Sequence, residues 1–208
     1  MIPCLVSIPF KLIFIWSPKA ASTTTKNIFY DYVGITLPDK DKGWLVNDEE
    51  WVKKHDMAKF KLPPDHENYL KIQFVRNPYE RALSSFFHHV EYRNKHKCQQ
   101  YQTFNEFLVN VKNKQIKCRG CNFHSTQQFK TNNVDEIIKI ENLDNEINRL
   151  NSQYSLTLKN ITYQRHSYKK KYDYKKYLNP ETITLINEIY NEDIQYFGYD
   201  FQQPFKFI

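Results

Sequence analysis

The sequence predicts an α/β protein: a single P-loop-like, three-layer domain with a central parallel sheet flanked by helices. Three observations carry this reading. Short apolar runs alternate with helical patterns along the chain, and strands separated by helices pair in parallel. The runs "KLIFIW" and "YLKIQFV" are almost uninterrupted, as strands buried on both faces are. Each leads directly into a polar loop that opens a helix, and open α/β sheets bind ligands at the carboxyl ends of their strands.

The elements follow in order. Residues 11–16 read as the first strand and residues 21–33 as a helix, with Ile28, Phe29, Tyr32 and Val33 on its apolar face. "GITLPDKDKG" is rich in turn residues, and residues 48–60 read as helix. "YLKIQFV" is the second strand, ending at Val75. The helix after it has the clearest start in the chain: Asn77 at the N-cap, Pro78 at the first helical position, and Glu80 placed to complete a capping box. Residues 103–112 read as helix, "DEIIKI" as a third strand and "ENLDNEINRL" as helix. Asn179-Pro180 opens a last helix running to about Phe197. There is no internal repeat and no linker, so residues 1–208 are read as one domain.

Composition bounds the function. Hydrophobic residues make up 40% of the chain and aromatics 16%, which supports a packed core and excludes disorder. The net charge of +7 favours an anionic partner: a nucleotide, an acidic glycan, a nucleic acid or an anionic membrane. The abundance of Lys, Asn, Ile and Tyr is also what an AT-rich coding sequence produces. The apolar start "MIPCLVSIPFKLIFIW" lacks a basic leader, is broken by Pro3, Pro9 and Lys11, and is too short to span a bilayer. The expectation is a soluble, cytoplasmic protein. The four cysteines are Cys4, Cys98, Cys118 and Cys121. "CRGCNFH" with Cys98 leaves three states open: free thiols, a disulfide, or zinc held with His124.

Two loops carry the chemistry. In "SPKAASTTT", Ala20 and Ala21 leave room for an anion to approach backbone N–H groups. Ser22, Thr23 and Thr24 add hydroxyls, Lys19 adds a charge, and the helix N-terminus adds its dipole. In "RNPYERALSS", Arg76 directly follows a buried strand, and Arg81 and Ser84 share a helix face. The plain alternatives are a polar helix start for the first loop and an Arg76–Glu80 salt bridge for the second. The nucleotide-triphosphate motif G-x-x-x-x-G-K-[ST] is absent.

"SPKAASTTT" followed by "FVRNPYERALSSFF" resembles the sulfotransferase superfamily, most closely its carbohydrate branch of chondroitin and heparan 2-O enzymes. "HSTQQF", "IIKIENLDNEI" and "EIYNEDIQYFGYDF" extend the likeness along the chain, with Ser125 and Gln127 replacing the family's tryptophan and proline. The resemblance implies 3′-phosphoadenylyl sulfate (PAPS) as sulfuryl donor. Lys19, Ala20, Ala21, Ser22, Thr23 and Thr24 then hold its 5′-phosphosulfate, Arg76 and Ser84 its 3′-phosphate, and Lys170, within "RHSYKKKYDYKKY", reaches the nucleotide. His124 and Gln128 become acceptor contacts.

Sulfuryl transfer needs charge stabilisation on the leaving phosphate, which falls to Lys19, and a base for the acceptor hydroxyl. No metal is required, because the sulfuryl group carries less charge than a terminal phosphate. The resemblance makes His55, upstream of the Val75 strand, the preferred base; His124, Glu49 and Glu50 are alternatives, His66 lies in a proline-rich loop, and His88 and His89 read as packing or surface residues. Trp44, Trp51 and the lysines at 53, 54 and 169–171 suit an acidic glycan, with no nucleic acid and no membrane anchor expected. Two rivals stay open: a nucleotide or small-molecule kinase on the same fold, and a non-enzymatic protein binding glycans or nucleic acid through basic and aromatic residues.

Overall fold

The computed structural model describes residues 4–35, 57–59, 64–96, 100–116, 134–160 and 173–199, without the side chains of 57–59 and 91–96. The chain forms two compact units, Met1–Val75 with Phe129–Arg165 and Arg76–Gln128 with His166–Ile208.

The first unit holds a mixed five-stranded sheet. Its strands are β1 (Cys4–Ser7), β2 (Leu12–Trp16), β3 (Met57–Lys59), β4 (Leu70–Val75) and β5 (Glu136–Lys139), in the order β3-β1-β2-β4-β5. The expected parallel core is present: β2 pairs in parallel with β4, and β4 with β5. The departure is at one edge, where β1 pairs antiparallel with both β2 and β3. The apolar N-terminus is thus a hairpin rather than one strand. Lys11, with φ 48°, sits in its turn, so β2 begins one residue later than expected. The expectation of helix over 48–60 is corrected at its end: Met57–Lys59 is strand because it pairs with Leu5, Val6 and Ser7. Long-range pairing of this kind overrides local propensity.

Helix α1 (Ser22–Tyr32) and helix α4 (Leu143–Tyr154) contact this sheet at β2 and β5. Phe14, fully buried, meets Phe29 of α1 at 5.3 Å and Phe74 of β4 at 5.1 Å between ring centroids. Each such ring contributes on the order of 2 kcal/mol by leaving water. Helix α1 ends in a Schellman motif: Ile35 N–H donates to Tyr30 O and Gly34 N–H to Asp31 O. Gly34, at φ 74°, adopts the left-handed conformation this requires. Glu136 ties β5 to α4, accepting hydrogen bonds from Arg149, Gln153 and Tyr154.

The second unit is helical. It contains α2 (Pro78–His96), α3 (Phe104–Lys112), α5 (Pro180–Ile189) and α6 (Asn191–Tyr196). The expected N-caps at Asn77 and Asn179 form, whereas the Glu80 carboxylate, expected to close a capping box, pairs with Arg76. Asn77 Oδ1 accepts from the Tyr79 and Glu80 amides, Thr103 caps α3, and Asn179 and Thr182 make a reciprocal capping box. The last helix, read as continuous to Phe197, breaks at Tyr190 into α5 and α6. Phe86, Phe87, Phe104 and Phe107 fill the core, and the Tyr79 hydroxyl donates to Asn187 Oδ1. His88 and His89 are buried, so they are packing residues. Among the described residues no helix is long and apolar enough to cross a membrane.

Candidate functional site

The parallel pairing of β2 with β4 places their carboxyl ends side by side, Trp16 opposite Phe74. The loop after β2 is tightly built. Ser17 and Ala20 are fully buried, and the Ala20 N–H donates to Ser17 O at 3.0 Å. Lys19 (φ 65°) and Ala21 (φ 53°, ψ 38°) are both left-handed, with Ala20 between them. Left-handed residues in a loop that opens a helix bend the backbone in the manner of anion-binding turns.

Helix α1 begins at the end of this loop. Its N-cap, Ala21, supplies no side-chain cap, and its first turn has no acidic residue. The first N–H groups of a helix have no intrahelical partner, and the dipole there is positive. Thr25 is committed to the fold, its hydroxyl donating to Ala21 O at 3.2 Å. The hydroxyls of Ser22, Thr23 and Thr24 make no hydrogen bond among the described residues. Sequence reasoning identified the loop but missed its backbone, because no glycine marks either left-handed position.

Arg76 is the residue after β4 in the chain. Its Nε and Nη2 donate to Glu80 Oε2 at 3.2 and 2.8 Å, with the two side chains 15% and 4% exposed. The ion pair raised as the plain alternative therefore exists. One turn on, Ser84 is buried and its hydroxyl makes no hydrogen bond among the described residues, whereas Ser85 is spent on Arg81 O. Arg81 is wholly buried, its guanidinium 5.7 Å from the Tyr190 ring centroid. Burial pushes its pKa down, and the charges of Tyr190 and Asp193 oppose that shift. Arg81 is thus an interior anchor of the helical unit.

Sequence reasoning missed Tyr174. Its ring stacks on Phe87 at 5.6 Å and 13°, and its hydroxyl feels the charges of Arg76 and Glu80. Burial first, and then the Glu80 charge against the pull of Arg76, pushes its pKa up to about 12. The phenol is therefore neutral at physiological pH. Only its position in a basic, Tyr-rich run could have marked it out.

His55, His124, Gln128 and Lys170 lie outside the described residues, as do Glu49, Glu50, Trp44, Trp51, Cys98, Cys118 and Cys121. Cys4 is buried in β1.

No curated protein and no solved structure matches the chain. The family model described as "Sulfotransferase family" matches residues 4–200, which takes in both loops and both compact units. The chain belongs to the sulfotransferase family.

Proposed function

We propose that the chain moves a sulfuryl group from PAPS to a hydroxyl of an acidic glycan or glycoconjugate, in line and without a metal. Residues 1–208 work as one sulfotransferase domain in this reading, which the extent of the family match supports. The observation that carries it is the loop Lys19–Thr24: two left-handed residues leading into a helix start with no side-chain cap and no acid. That donor set fits an anion held by backbone amides and small hydroxyls.

PAPS supplies the activated sulfuryl group and a phosphate leaving group. Lys19 stabilises the charge that grows on that phosphate, and the amides of residues 21–24 with the hydroxyls of Ser22, Thr23 and Thr24 hold it in place, the Ala20 amide being engaged by Ser17 O. Arg76 and Ser84 bind the 3′-phosphate, and Lys170 covers the nucleotide. His55 takes the proton from the acceptor hydroxyl as the oxygen attacks. His124 and Gln128 contact the acceptor, and the lysines near residues 53 and 170 favour one that is already anionic.

Calorimetry with adenosine 3′,5′-bisphosphate and ADP tests the donor. Tighter binding of the bisphosphate is expected, and equal affinity would remove the assignment. A labelled-sulfate assay over acidic glycans, neutral glycans and phenols tests the acceptor. Preferential labelling of phenols, or unchanged turnover in His55→Ala, would overturn the acceptor and base while leaving the donor standing.

A further inference from the structure

Within the helical unit Arg76 is held by Glu80, which takes its Nε and Nη2 edge. Glu80 is not free to follow the arginine elsewhere. The Glu80 backbone is pinned by Asn77 Oδ1 at the start of α2, and its carboxylate is almost fully buried. A guanidinium is a rigid plane with five donors in fixed directions, so holding one edge decides where the others point.

Stability alone gives little reason for this arrangement. The Arg76–Glu80 pair joins residues four apart, so it ties no distant elements together. A buried ion pair is commonly no better for stability than well-packed apolar side chains. What the pair does determine is direction.

We propose that Glu80 is a positioning residue that clamps the Arg76 guanidinium in the orientation needed to bind a phosphate, and so sets selectivity for a nucleotide bearing a 3′-phosphate. This rests on the reading of Arg76 as the 3′-phosphate ligand. Glu80 also places a negative charge beside that phosphate. The inference is that orientation outweighs this repulsion, because a flexible arginine must lose rotamer freedom on binding and a clamped one has already lost it.

The test is calorimetry on the full chain with adenosine 3′,5′-bisphosphate and with AMP, which lacks the 3′-phosphate. In Glu80→Ala the bisphosphate should bind about ten- to hundredfold more weakly, the range for a charge-assisted hydrogen bond. AMP affinity should hold, and Glu80→Gln, which retains an acceptor, should fall between wild type and Glu80→Ala. A purely structural role would lower the melting temperature and leave the bisphosphate-to-AMP ratio unchanged. An unchanged ratio, or a ratio that rises in Glu80→Ala, would overturn the clamp. If wild type itself failed to distinguish the two nucleotides, the 3′-phosphate reading would fail first and the clamp with it.

Discussion

Ala21 offers the sharpest check on how the anion loop is built. Its φ of 53° and ψ of 38° are left-handed, and its Cβ makes that conformation costly by roughly 1–2 kcal/mol. Ala21→Gly removes the penalty from the folded state. It also frees the unfolded chain, which costs about 0.4–1 kcal/mol. The balance is a gain of roughly 0–1.5 kcal/mol, or up to about 5 °C in melting temperature for a chain of this size. Ala21→Val moves the other way. A β-branched side chain at positive φ is a real outlier, and a loss of at least about 1 kcal/mol is expected. Binding should part company with stability. A glycine there lets the amides wander, so Ala21→Gly should weaken adenosine 3′,5′-bisphosphate while melting no lower than wild type. Thermal denaturation and calorimetry on the three proteins decide the matter. If Ala21→Gly instead lost about 1 kcal/mol, as glycine does inside a helix, the residue would be right-handed and the bent loop would not exist.

Three more outcomes follow from the structure. Lys19→Ala should depress turnover far more than donor affinity, while Arg76→Ala should weaken donor binding; steady-state kinetics beside calorimetry separates the two, and equal losses of affinity alone would make Lys19 a binding residue. Arg76→Ala also removes the ion-pair partner of the buried Glu80 carboxylate, so it should cost about 2–4 kcal/mol of stability, part of it recovered in the double variant with Glu80→Ala. Burial by itself would raise the pKa of Glu136, but the hydrogen bonds from Arg149, Tyr154 and Gln153 and the Arg149 charge outweigh it and hold it below 4.5. A depressed carboxylate stabilises the fold above its unfolded pKa and loses that contribution as pH falls through the folded one. Glu136→Gln should therefore melt lower than wild type at pH 7, with the gap closing below about pH 4.5; a gap independent of pH would refute the charge argument.

Local chemistry made much of this protein legible from sequence. The runs "LIFIW" and "LKIQFV" had to be buried strands, because nothing polar interrupts them sufficiently to face water on either side. Asn77-Pro78 and Asn179-Pro180 had to start helices, because an N-cap acceptor followed by a proline already suited to the first turn is a purely local preference. The loop "SPKAASTTT" and the Arg76–Ser84 spacing were equally visible, since small residues, hydroxyls and cations declare their chemistry without a fold.

Tertiary structure decided what depended on distant partners. Met57–Lys59 became strand only because β1 offered an edge, and no local pattern reports that offer. The helix break at Tyr190 accompanies Tyr190 and Asp193 meeting the buried Arg81, a contact made across more than a hundred residues of chain. Lys19 and Ala21 turned left-handed without a glycine to announce it, since the packing of Ser17 and Ala20 holds a strain that local preference opposes. The pairing of Arg76 with Glu80 belongs with these. An arginine's charge can be read from sequence, but the direction in which its plane faces is set only by the groups that fold around it.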